Sequence, residues 1–568
     1  MARNQFNSIP LRVPKRNMHN LSYTHKYTAE MGQLIPCYVQ DVIPNDRFKI
    51  SVANLIRFAP LVAPIMAEID VYFHFFFLPD RLLWDGWEDF ITGAHKGKIL
   101  SEDELPQKYR MVFPSSLINQ FTDPDNSSSV GPIFRQGSLL DYLGFQTWNT
   151  KTNFSSGSYA IDMMPVLAYQ KVYDDYYRDE NLYEPNNTLD YYTAKNGDQV
   201  VTQQTLSELD DLFTLRRRAW RKDYFTSALP WAQKGDDVLI PGGGSSSLSA
   251  SSPTVKWSQS QYLLGGVNAV ANGAVYAHGN PTENNGVPLS TSSSESVSSQ
   301  NLSFEGNLPT ANLLSALKID SSSVGEGTIR ELRRAYAAQA FLERRAVGGS
   351  RYVEQNLAFF GARSSDGRLQ RAQFLGGYKA PVVVSQVLQT SESTQNSPQG
   401  QPSGNAVNAG SGFICDKTFE EYGFIIGIMS VMPRADYMQG IPKMYLKQDV
   451  FDYYWPQFAR IGEQPIQNQE LYFDPSKSTN EDTFGYTPRY AEYRFRNNQV
   501  SGDFKDSLSF WTLARNFDSA PPLNDQFIEC NPRTDIWAVE SSDFQHLWVE
   551  TAFNVRALRP IPKYGESY

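Results

Sequence analysis

Cysteine is scarce in this chain. Its three cysteines, Cys37, Cys415 and Cys530, lie far apart, form no CxxC pair and offer no disulfide framework. They read as reduced, mostly buried thiols. Histidine is equally thin: His19, His25, His74, His95, His278 and His546 are scattered, none pairs with another at metal spacing, and there is no HExxH. There is no GxSxG nucleophile elbow and no GxxxxGK[ST] phosphate loop. Nothing approaches eighteen consecutive apolar residues, so no membrane span is expected. The opening MARNQFNSIP has no apolar core of the kind a secretory signal needs. Charged residues make up 20%, and the net charge of −10 gives no whole-chain case for nucleic-acid binding. These absences leave no expected catalytic, cofactor-binding or metal-ligating residue. Neighbouring acids at Asp174-Asp175, Asp210-Asp211 and Glu420-Glu421 read as solvated pairs, and His74 as a satisfied core histidine rather than a base. Function is expected in surfaces, not in an active site.

Aromatic residues are abundant at 13%, with 33 prolines and 38 glycines. That balance fits a β-rich protein with long loops. The centre of the pattern is EIDVYFHFFFLP at 68–79. Alternation places Ile69, Val71, Phe73, Phe75 and Phe77 on one face; the other carries Asp70, Tyr72, His74, Phe76 and Leu78 and turns apolar towards its end. This predicts a strand deep in a two-layer β-structure, ended by Pro79.

Along the chain, residues 1–30 form a basic arm: up to residue 29 it holds Arg3, Arg12, Lys15, Arg16 and Lys26 and no acid. It reads either as a solvated tail or as an arm lying on a neighbour or a phosphate backbone. Residues 31–241 are the first part of the body. Within them, 33–60 reads as short strands broken by Pro36 and Pro44. Asp162 to Leu182 reads as a helix capped by Asp162, with Val166, Tyr169, Tyr173 and Tyr176 or Tyr177 packing as core. Arg216, Arg217, Arg218, Arg221 and Lys222 are the densest basic cluster, either a solvated face or a phosphate- or carboxylate-binding surface.

Residues 242–327 are Gly- and Ser-rich and poor in charge. Such an insertion is too small to bury its own core and is expected to lean on the body or on copies of itself around a symmetry axis. Residues 328–568 complete the body. They open with a helix at 328–349, started by a Thr328/Glu331 capping box and burying Ile329, Leu332, Tyr336 and Ala340. A second loose tract covers 391–412, Phe424 to Val431 is a buried strand, and the C-terminal third reads as strand-like and aromatic.

Several segments, taken in order, carry a resemblance. They are GQLIPCYVQDVIPNDRF at 32–48, LPDRLLWDGW at 78–87, MPVLAYQKVYDDYYRDENL at 164–182, DYFTSALPWAQKG at 223–235, LERRAVGGSRYVE at 342–354, RLQRAQFLGG at 368–377, FDYYWPQFARIGEQ at 451–464, FGYTPRYAEYRF at 484–495 and LNDQFIEC at 523–530. With them the chain resembles the major capsid proteins of microviruses, the small icosahedral single-stranded DNA phages, and among them the gokushovirus-like branch. The resemblance implies a mainly β fold, an eight-stranded viral jelly roll with long inter-strand insertions and a few helices. It implies a homo-oligomer closing five-, three- and twofold contacts in a T=1 shell around circular single-stranded DNA. It also implies a small basic DNA-binding protein, an internal scaffolding protein, a minor pilot protein and a host surface receptor, with a glycan as one candidate. The location implied is the virion, assembled in the bacterial cytoplasm, and 242–327 falls where such proteins carry a threefold protrusion, which makes its Trp257, Tyr262 and Tyr276 the candidate host-contact residues. Arg3, Arg12, Lys15, Arg16, Arg216, Arg217 and Arg218 are the candidate nucleic-acid contacts. The competing classes are a carbohydrate-binding β-sandwich and a glycoside hydrolase, which the Tyr and Trp content and the acid pairs would also suit.

Overall fold

The computed structural model describes residues 15–235 and 329–562 apart from short interior stretches, together with four short strands between them. The chain divides into two compact units, 1–235 with 342–568, and 236–341.

The first unit is built on ten strands in two large antiparallel sheets. They are β1 (Asn17–Asn20), β2 (Tyr23–Ala29), β3 (Ile35–Val42), β4 (Arg47–Phe58), β5 (Ile69–Pro79), β6 (Gln373–Pro381), β7 (Val383–Leu388), β8 (Pro402–Thr418), β9 (Gly423–Pro433) and β10 (Leu547–Arg559). The first sheet runs β1-β10-β4-β8-β7, with β2 also on β10. The second runs β6-β5-β9-β3. The inner faces of both sheets share one core. Tyr38 of β3 and Phe553 of β10 meet across it with ring centroids 5.0 Å apart, inside the range of favourable aromatic pairs.

β5 behaves as its alternation predicts. Ile69, Val71, Phe73, Phe75 and Phe77 enter the core between the sheets. Phe76 and Leu78 enter a second core on the far side of the same sheet. Burying each such side chain contributes about 1.5–3 kcal/mol. The polar residues on that far side are matched: Asp70 pairs with Lys379 at 2.6 Å, and His74 shares a 2.8 Å hydrogen bond with the Tyr177 hydroxyl. β9 is buried almost throughout, as its apolar run requires. β3 contains Pro36 within the strand rather than breaking there. It lies at the sheet edge, where the missing N–H is tolerated, and the register against β9 slips beside Pro36.

The second core holds the helix α1 (Met164–Val172), which buries Val166, Leu167, Tyr169 and Val172. Asp162 closes a short strand, Ser158–Asp162, and its carboxylate accepts the Met164 N–H at 3.2 Å. The expected helix to Leu182 is shorter. A single wide turn covers Tyr173–Tyr177, and Arg178 turns extended. There its guanidinium holds Asp174 and the Tyr183 carbonyl.

Four further expectations are corrected. The arm is not unstructured over its second half: β1 and β2 pair with β10, where main-chain bonds compensate its polar composition. The tract 391–412 is not all loop, because residues from Pro402 onward belong to the long strand β8, paired on both edges; 389–401 lie outside the described residues. Its small residues answer to close neighbours: a Cβ on Gly412 would come within 2.5 Å of the Tyr378 ring. The helix α2 (Ile329–Val347) forms, but its apolar stripe is exposed, with Ile329 at 73% and Tyr336 at 79%. Ala, Arg, Glu and Leu supply helix propensity without burial. Thr328 lies outside the described residues. Finally, the region from Asp436 to His546 is not strand-rich. Pro442, Pro456, Pro465, Pro475 and Pro488 punctuate it, and the chain follows short 3-10 turns around a third core that includes Tyr224, Phe225, Ile466 and Phe527.

Candidate functional site

No catalytic constellation emerges among the described residues. None of them forms a group of three or more potential metal ligands. The carboxylates expected as solvated pairs are tied to separate cations: Asp175 to Lys171 at 3.2 Å, Asp174 to Arg178, Asp211 to Arg216 and Glu421 to Arg81 at 2.6 Å. Burial, helped by the nearby Arg218 charge, brings the His74 imidazole down to about 4, so it stays neutral at pH 7. Burial likewise pushes the thiols up, Cys37 and Cys530 to about 12 and Cys415 to about 11. All three are free and buried. Two acids are raised to about 7 chiefly by burial, Asp80 and Glu463.

The densest basic cluster forms a seam. Leu34 donates to the Arg216 carbonyl at 2.9 Å and Arg218 donates to the Gly32 carbonyl at 2.7 Å. On the other edge Cys530 donates to the Arg218 carbonyl at 2.9 Å and Trp220 to the Ile528 carbonyl at 2.7 Å. Gly32 is required here: its φ is +84°, and a Cβ would collide with the Cys530 carbonyl. The side chains follow suit. Arg216 donates to Gln170 at 2.9 Å and holds Asp211. Arg217 reaches the Met31 and Cys530 carbonyls, each at 3.2 Å. Arg218 donates to the Ser430 hydroxyl at 3.0 Å and stacks 4.4 Å over Tyr72. All three are half-buried. Lys222 pairs with Asp179 at 2.6 Å. Of the arm residues, Lys15 is exposed and Arg16 donates to the Asn45 side chain at 3.2 Å; Arg3 and Arg12 lie outside the described residues. Trp257 and Tyr262 also lie outside them. Tyr276 sits in Val275–Ala277, the second strand of a four-stranded antiparallel meander in the second unit.

One surface escaped the sequence reading. The run FDYYWPQF falls in the region that reads as strand-like, yet Phe451, Tyr453, Tyr454 and Trp455 are exposed, as are Tyr445, Tyr493 and Phe495. The patch rests on Tyr490, whose backbone is left-handed at φ 63°. Its hydroxyl donates to the Tyr453 carbonyl at 3.1 Å, and its ring packs 5.0 Å from Tyr454. The signal in the sequence was the lack of alternation through that run, which fits no half-buried strand. Exposed aromatic side chains grouped in this way form a candidate association surface.

The described residues thus form a β-sandwich with helical and loop layers and an exposed aromatic patch. The family model described as Capsid protein (F protein) matches residues 8–568, and the chain belongs to that family. It is 34% identical to capsid protein VP1 of Chlamydia phage 1, over 100% of this chain and 97% of that protein. It is 32% identical to capsid protein VP1 of Bdellovibrio phage phiMH2K, over 99% and 96%. With capsid protein VP1 of Spiroplasma virus 4 the identity is 27%, over 97% and 95%. The protein is thus a structural component of a phage particle.

Proposed function

We propose that this chain is the repeating subunit of a T=1 icosahedral shell enclosing circular single-stranded DNA, and that it has no enzymatic role. The observation that carries the reading is the match to capsid proteins over residues 8–568. The topology supports it. Taken in order from β2, and setting aside β7, strands pass between the paired rows β2-β10-β4-β8 and β3-β9-β5-β6, with β5 and β6 the one consecutive pair in the same row, the connectivity of a jelly roll. The aromatic patch around Tyr453 and Phe495 is the candidate contact between copies, each stable contact burying on the order of 1,000 Å² or more. Lys15 and Arg16 continue the basic arm and remain candidates for DNA contact with Arg3 and Arg12. Arg216, Arg217 and Arg218 are weaker candidates because their own chain already satisfies them. The insertion at 242–327 is the candidate threefold protrusion and host-contact surface. The accessory partners are a small basic DNA-binding protein, an internal scaffolding protein and a minor pilot protein, with assembly in the bacterial cytoplasm.

The test is sedimentation velocity on the protein co-expressed with its neighbouring viral genes. A megadalton peak containing nuclease-protected single-stranded DNA is expected. A strict monomer that binds or cleaves glycans overturns the reading. Deleting 250–300 is expected to leave assembly intact and abolish adsorption to host cells; normal infection would remove the protrusion from host contact.

A further inference from the structure

The outer face of the first sheet is unusual for a large sheet. Its middle carries small, weak strand formers where β-branched or aromatic residues would stabilise more. Ala53 of β4 stands opposite Ala552 of β10 and Ser411 of β8, and Ser51 stands opposite Asn554. These residues floor a trough of about 640 Å³ that runs from Ser22 and Thr24 across to Phe413. It crosses the strands β2, β10, β4 and β8, about 15 Å at ordinary strand spacing.

The banks of the trough are cationic. On one side Lys49 stands opposite Arg556; on the other, beyond the row in which Leu55 stands opposite Glu550, Arg57 stands opposite Trp548. Lys49, Arg57 and Arg556 are exposed, and the structure shows no ion pair or side-chain hydrogen bond for any of them. The other charges of the face cancel: Arg47 holds Asp416 at 2.7 Å and Lys26 lies 3.9 Å from Glu550. The face therefore keeps a surplus of three positive charges on a chain whose total is −10. The exposed ring of Phe413 lines the trough, and a second exposed ring, Trp548, stands in the Arg57 row.

We propose that this trough holds a segment of the packaged single strand, with phosphates against Lys49, Arg57 and Arg556 and bases over the small floor and against Phe413. The proposal rests on the reading of the chain as a subunit of a DNA-filled shell. A surplus of unpaired cations around a smooth floor, with an aromatic ring at its edge, is the chemistry that binds a single strand without sequence preference. It favours a polyanion over an apolar segment of another copy. Side chains larger than Ala or Ser in the middle rows would fill the space the bases need, which accounts for the poor strand formers there.

The test measures binding of a short oligo-thymidylate to the full-length subunit by fluorescence anisotropy over a salt series. Each cation that neutralises a phosphate contributes about 0.7 to the slope of log K against log salt. Replacing all three, Lys49→Gln, Arg57→Gln and Arg556→Gln, is expected to lower that slope by about 2. The charge-keeping set Lys49→Arg, Arg57→Lys and Arg556→Lys is expected to retain it. Ala53→Trp, which fills the floor, is expected to weaken binding. Single replacements, each lowering the slope by about 0.7, serve if the triple variant does not fold. An unchanged slope in the neutral variants overturns the proposal, and so does a change confined to sedimentation, which would assign the face to another copy. Wild-type particles that protect DNA while the neutral variants keep the full slope would refute this placement alone; wild-type particles without DNA would refute the wider reading.

Discussion

Two groups of cations in this protein have opposite fates. Arg216, Arg217 and Arg218 are adjacent in sequence, yet the fold threads them through a seam where carbonyls, carboxylates and aromatic faces occupy every guanidinium. Lys49, Arg57 and Arg556 are scattered, two on β4 and one on β10, and pairing of those strands gathers them on one exposed face. Density of charge along a chain is thus a poor guide to a charged surface. Strand register decides which cations meet solvent, because alternate residues face opposite ways.

The contrast can be broken or sharpened by mutation. The largest effect is expected at the most committed cation, Arg559. It pairs at 3.0 Å with Asp46, which is fully buried and also accepts the Ile43 N–H. Arg559→Ala leaves that carboxylate uncompensated and is expected to cost about 3–5 kcal/mol in urea unfolding of the subunit. Arg218→Ala, which removes a half-buried hydrogen bond and a stack, is expected to cost about 1–3 kcal/mol in the same assay. An effect below that range would return the seam arginines to the pool of free surface charge.

A smaller effect is a matter of pH. The His74 imidazole titrates near 4 in the folded chain and near 6.5 when unfolded. The unfolded state therefore takes up the proton first on acidification. Stability contributed by neutral His74 is complete above pH 6.5 and falls as pH drops from there towards 4. His74→Gln is expected to flatten that part of the stability–pH curve, read from urea midpoints. Asp80 has the opposite sign: raised to about 7 from 3.8, it makes folding less favourable as pH rises through that window. Asp80→Asn is expected to lessen the loss. The smallest effect belongs to the free cations. Arg57→Gln or Lys49→Gln is expected to change unfolding stability by no more than about 0.5 kcal/mol. A larger change would mean that they too are structural.

The same contrast explains what the sequence made legible. β5 and β9 were readable because burial on one or both faces writes alternation or an apolar run into the residues. The identity of the family was readable from ordered segments such as LERRAVGGSRYVE. β8 was hidden, since Gly404, Gly410 and Gly412 yield space to Ala63, Ala380 and Tyr378, contacts no local pattern encodes. The apolar stripe of α2 reads as interior, and the run around Trp455 as strand, for the converse reason. Apolar residues kept for a neighbour look, in one chain, like apolar residues kept for a core. The trough was invisible because its walls come from four strands distributed over both ends of the chain.

That distribution also sets a clock on synthesis. Ser22 and Val555 exchange hydrogen bonds although 533 positions separate them, and β10 sits between β2 and β4 in the finished sheet. A nascent chain can complete the second sheet once β9 has emerged, but the first must wait, split in two, until β10 has left the ribosome. Such long-range pairing closes slowly. Polysomes would then carry half-built subunits in which that face is incomplete, and capsid assembly would draw only on chains in which β10 has docked.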